Sequence, residues 1–177
     1  MRKLIVLACA AVATAALVAA PGASGQDVGM LSVERGRGSV VLDLRGSVLG
    51  RLKSGVLRVT DHTPLDRFGE IVVGRDVTEE RVGPRTVVYR GQGLRFRMLG
   101  GAYRVVVRGN GISLSAVGRG VVVLDGEPRL PGEDAGVYSF EGIDCGLEPL
   151  SCTPLPEEPQ RFVLGPRAAR AQGMISR

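Results

Sequence analysis

A single histidine, His62, stands among the 177 residues, and that count closes most catalytic routes before any fold is considered. Two-histidine metal sites are excluded. A Ser-His-Asp system would need His62 beside a serine raised on a strained elbow, and the nearest sequence, Gly111-Ile-Ser113-Leu-Ser115, lacks the closing glycine. Asp61-His62-Thr63-Pro64 reads instead as a turn leaving a strand. The Asp61 carboxylate can accept from the backbone ahead, and Pro64 ends the ladder.

Cysteine chemistry is equally restricted. Cys9 sits in an apolar leader, and Cys145 and Cys152 fall seven positions apart in a Pro-rich segment. In an oxidising compartment the latter two are expected to be bridged, which removes a free thiolate. Two thiols with no nearby histidine also make a poor zinc set, so no metal or cofactor is expected. Carboxylates for glycoside hydrolysis are available in Asp125, Glu127, Glu133, Asp134, Glu141 and Asp144. Their crowding in one loop argues against an opposed pair, and a chain with no Trp, three Tyr and four Phe has few rings to stack on sugars. The same oxygen-rich loop suits weak calcium binding better, though without EF-hand spacing.

Arginine is the residue type left to carry recognition. No acid occurs between Glu80 and Asp125, where Arg90, Arg95, Arg97, Arg104 and Arg108 fall among the strand-like runs. A period of two puts Arg95 and Arg97 on one face with Leu94, Phe96 and Met98 on the other, and it aligns Arg104 with Arg108. Such a face could hold anionic polymers or lipid headgroups through charge-assisted hydrogen bonds. Solvation of an outer sheet face, or neutralisation by the acidic segment after Asp125, explains the same charges.

The elements that would position these groups are short and glycine-punctuated. After an n-region of Arg2 and Lys3, an apolar run from Leu4 to Ala20 and a small-residue exit through Gly25, residues 1–25 read as a secretory signal peptide. A retained anchor is the alternative. Residues 26–165 are expected to form one all-β domain, a β-sandwich or barrel of roughly ten short antiparallel strands. The runs are residues 39–45, 48–52, 56–60, 70–73, 86–90, 94–98, 103–108, 112–117, 121–124, 137–140 and 161–164. Asn110-Gly111 signals a hairpin turn. Residues 125–160 read as a partly ordered surface excursion and residues 166–177 as a frayed basic tail. One echo is internal: Gly36-Arg-Gly-Ser-Val-Val-Leu-Asp43 returns as Gly118-Arg-Gly-Val-Val-Val-Leu-Asp125. Duplication would set the two copies in equivalent places on opposite sheets; chance repetition in a Gly- and Val-rich chain is the other reading.

Without the two leader cations the charge falls from +5 to +3, too little to point to nucleic acid in an exported protein. The function expected is that of a non-enzymatic binding or structural module in the periplasm, envelope or extracellular space, docking on an anionic envelope polymer or membrane surface. The alternatives are an envelope-polysaccharide hydrolase using the loop carboxylates or His62, and a homo-oligomeric structural subunit.

Overall fold

Runs of Val, Leu and Ile alternating with polar residues favour half-buried strands, and the computed structural model, which describes residues 28–64 and 69–165, is all-β. Seven strands form one antiparallel sheet: β1 (Gly29–Asp61), β2 (Ile71–Arg81), β3 (Thr86–Met98), β4 (Ala102–Gly126), β5 (Val137–Ser139), β6 (Thr153–Pro154) and β7 (Gln160–Leu164). The path is β2-β3-β1-β4-β7, with β5 beside β1 and β6 beside β5. The sheet does not close. The expected leader and tail lie outside the described residues.

The expected short runs are stretches of far longer strands. β1 has 33 residues and β4 has 25, against about 3–10 for an ordinary strand. Glycine bends these strands without ending them. Asn110-Gly111 is accordingly no hairpin: β4 runs straight through it, with Gly111 at φ +65° and the Asn110 side-chain amide donating to Ser54 Oγ at 2.8 Å.

Because they are so long, β1 and β4 pair with each other twice. Val41 faces Val106 on one side and Val123 on the other, while Val117 faces Met30 and Ser47. The sheet thus has two limbs. The first carries, in order, residues 78–81, 86–92, 54–61, 103–110, 38–45, 119–126 and β7. The second carries residues 71–73, 94–98, 46–52, 112–118, 29–36 and β5. Alternate side chains from both limbs, among them Leu42, Leu57, Val105 and Leu124 from the first and Leu31, Leu52, Leu94 and Ile112 from the second, belong to one buried cluster. With no helix to cover either limb among the described residues, the inner rows are dry because the limbs cover each other. At the edge where β5 and β7 meet, Tyr138, Phe140 and Phe162 pack with ring centroids 4.9 to 5.5 Å apart.

The internal echo takes a different place from the one expected. Its two copies are neighbours in the first limb, with Val41 opposite its counterpart Val123, flanked by Val40 opposite Leu124 and Leu42 opposite Val122. The same offset exchanges Ser32–Ser115 with Val33–Leu114 in the second limb. The acidic segment after Asp125 is tied to β1 at several points. β5 pairs with residues 32–34, Arg37 N–H donates to the Ala135 carbonyl at 2.7 Å, Leu155 N–H to that of Gly136 at 2.8 Å, and Ala135, Cys145 and Leu155 are buried.

Where the strands pass from one limb to the other, backbones come too close for side chains. Gly55 and Gly109 face each other at φ +145° and +148°, and a Cβ on either would strike the carbonyl oxygen of Arg108 or Ser54. Gly55→Ala or Gly109→Ala is therefore expected to cost roughly 2–5 kcal/mol, lowering the thermal midpoint by roughly 10 °C; an unchanged midpoint would show that the crossing tolerates a side chain. A second prediction concerns Tyr89, whose hydroxyl donates to Glu70 at 3.3 Å. Burial first, and the Glu70 charge second, push its phenol well above the ordinary 10.0. The folded protein holds this proton where the unfolded chain loses it. Its contribution to stability is then complete below about pH 10 and falls as pH rises beyond it. Urea midpoints at pH 9 and pH 11 should differ less in Tyr89→Phe than in the parent.

Candidate functional site

Period two assigns the arginines to faces correctly, but the limb crossings divide them. Arg90, Arg104 and Arg108 lie on the outer face of the first limb and Arg95 and Arg97 on that of the second. The first group is largely answered locally: Arg90 pairs with Glu80 at 2.7 Å and Arg104 with Asp43 at 3.7 Å. No acid from beyond Asp125 takes part in these pairs. The arginines expected on the strands from Arg90 to Arg108 thus lie on two faces, and Arg95 lines the groove described next.

The cavities lie on the second limb. One of about 470 Å³ is floored by Ser32, Ser113 and Ser115, with Leu49 and Arg51 on one flank and residues 142–144 on the other. A second, of about 800 Å³, is lined by Arg35, Lys53, Arg75, Gly93 and Gly111. Glu34, Arg51, Arg95 and Ser113 line both, so the two form one groove along the strand direction. Short side chains make its floor: serines stand at alternate positions of β4, and glycines replace side chains at its far end. Both volumes fall within the range of ordinary ligand sites.

The groove is graded in charge. Ser32, Ser115 and Leu49 form one row across the strands, and Ser113, Arg51 and Arg95 form the next. Lys53, Arg75 and Arg35 follow at the end where the strands bend. Arg51 and Arg95 are direct cross-strand partners, an arrangement of like charges that destabilises a sheet. Glu34 answers Arg51 at 3.0 Å, but the Arg51 side chain is 68% exposed. A pair so exposed contributes about 0–1 kcal/mol, leaving the guanidinium open to exchange partners. Arg35 adopts φ +55°, a left-handed conformation that is costly for a residue with a long side chain and that recurs at functional sites. Ser113 is only 8% exposed; its hydroxyl makes no hydrogen bond among the described residues and opens into both halves of the groove.

The disulfide expected between Cys145 and Cys152 is present. It closes residues 145–152, directly after the 142–144 wall of the groove, and Cys145 N–H donates to Ser32 Oγ at 3.2 Å. The turn reading of His62 holds as well: Asp61 Oδ1 accepts from Thr63 N–H at 2.7 Å, and His62 N–H donates to the Ala102 carbonyl at 2.9 Å. His62 is absent from the groove lining, and of the six loop acids only Asp144 reaches it. Arg35, Arg51, Lys53 and Arg75 escaped the sequence reading because they are spread over 41 positions and meet only through the strand register. No family model, curated protein or solved structure matches this chain.

Replacing Cys145 and Cys152 together by serine should remove about 2.5 kcal/mol of restraint on this short loop. Hydrogen exchange over residues 142–152 is then expected to accelerate while β1 and β4 stay protected. Equal protection with and without the bridge would show that β5 and Ser32 hold the wall unaided.

Proposed function

We propose that this protein is an exported, non-enzymatic β-sandwich module that docks on an anionic partner in the periplasm, envelope or extracellular space, using the basic half of the second-limb groove. The observation that carries this reading is the convergence of Arg35, Arg51, Lys53, Arg75 and Arg95 on one cavity with Glu34 as its single acid. Concave walls of low dielectric focus such a field more strongly than a flat charged sheet does. The directly opposed Arg51 and Arg95 repel each other, and an anion between them relieves that repulsion while accepting from both guanidinium forks.

Export is supported by the charged, apolar and small-residue order of residues 1–25 and is compatible with the Cys145–Cys152 bridge. Among the described residues no helix is long and apolar enough to cross a membrane. A non-enzymatic role is favoured because His62 stands outside the groove and its two acids, Glu34 and Asp144, are set beside Arg51 and on the opposite wall rather than as a pair with a histidine or nucleophile.

The test is co-sedimentation of the purified protein with anionic liposomes and with isolated anionic wall polymer, at low and high salt. Retention should fall with salt, and by roughly tenfold for each arginine lost in Arg51→Ser with Arg95→Ser. The Arg104→Ser and Arg108→Ser pair on the other limb should change it little. Salt-sensitive retention that follows Arg104 and Arg108 instead would overturn the groove as the docking site, and hydrolysis of the polymer by the parent protein, lost in Asp144→Asn, would favour an enzyme.

A further inference from the structure

The anionic docking proposed above leaves half of the groove unexplained, and the deeper inference rests on that reading. Toward its other end the floor turns from guanidinium to hydroxyl, from Ser113 in the row of Arg51 and Arg95 to Ser115 and Ser32 in the next row. Ser113 is more than nine-tenths buried, yet its Oγ is open to the groove with no protein partner among the described residues. Exposed Ser115 stands two positions along the same strand. Asp144 belongs to this half and Glu34, which lines both halves, stands at its border; both carboxylates accept hydrogen bonds and repel anions.

We infer that the groove is built for an acidic polysaccharide in which charged and neutral sugars alternate: a uronate carboxylate lies between Arg51 and Arg95, and the hydroxyls of the adjoining neutral sugar lie on Ser113, Ser115 and Glu34. A carboxylate already occupies one side of Arg51, that of Glu34 at 3.0 Å, so the guanidinium is presented to this group. A polymer charged at every unit carries anions into the serine half as well, where they meet Glu34 and Asp144, while Lys53, Arg75 and Arg35 match those at the other end. A flat bilayer follows poorly a floor set between the Arg51 flank and residues 142–144. The lack of stacking rings is no obstacle, since orientation here comes from hydrogen bonds at both ends of each repeat.

Calorimetric titration of the full protein separates the cases, using a hyaluronan octasaccharide (glucuronate alternating with N-acetylglucosamine), a polyphosphate of similar length and neutral dextran. Hyaluronan should bind more tightly than polyphosphate, and dextran should not bind. Ser113→Ala with Ser115→Ala should weaken hyaluronan roughly tenfold and leave polyphosphate unchanged, while Glu34→Gln should strengthen polyphosphate. Polyphosphate binding as tight as hyaluronan, with no effect of the serines, would overturn the polysaccharide inference and leave anionic docking standing. Failure of both polyanions to bind would end both readings. Equal thermal midpoints for parent and variants would establish that the changes report on binding.

Discussion

Two strands that pair with each other twice hold everything else in place. An ordinary strand offers each of its two edges to a different neighbour. Here β1 offers both edges to β4 over residues 38–45, then bends and pairs with it again on the second limb. That arrangement needs backbones to pass at a separation no side chain allows, and Gly55 against Gly109 supplies it. The same glycines carry the chain from one limb to the other without breaking the ladder.

The double pairing also gives the echo between residues 36–43 and 118–125 a physical meaning. Residues that face each other across an antiparallel ladder share one environment, so equivalent positions of a local twofold want the same side chains. Val41 and Val123 are such a pair, and Val40 with Leu124 is exchanged by the same offset with Leu42 and Val122. This twofold explains why seven of eight residues agree in just this stretch. It ends where the excursion after Asp125 departs, and β5 and β7 complete the two limbs with no counterpart of matching sequence.

Much of the architecture was legible in the sequence. Class, strand positions and the Cys145–Cys152 bridge followed from alternation, glycine spacing and the pairing of the two remaining cysteines. What escaped was continuity. A glycine with positive φ reads as a turn in one dimension, and only the partner strand decides whether the ladder resumes beyond it, as it does through Asn110-Gly111. The arginines suffered from the same gap. Arg95 and Arg108 both point outward, correctly by parity, but a limb crossing lies between them. Parity is local, whereas membership of a face depends on the register of residues more than 40 positions apart.

That dependence bears on what the groove can be. Arg51 and Arg95 gain nothing from each other; their opposition costs stability, and a substitution of either to threonine would relieve it within the sheet. Ser113 is a buried position where valine would add apolar area at no polar cost, and Arg35 holds a backbone conformation better suited to glycine. Each of these residues breaks a rule obeyed elsewhere in the same sheet, where Arg104 faces Asp43 and Thr60 Oγ1 lies 2.9 Å from Thr86 Oγ1. The three departures converge on one cavity. Local choices that disagree with stability at scattered points are noise in a sequence; gathered around one groove by two strands that cross twice, they mark the surface on which a ligand supplies the missing half of the interactions.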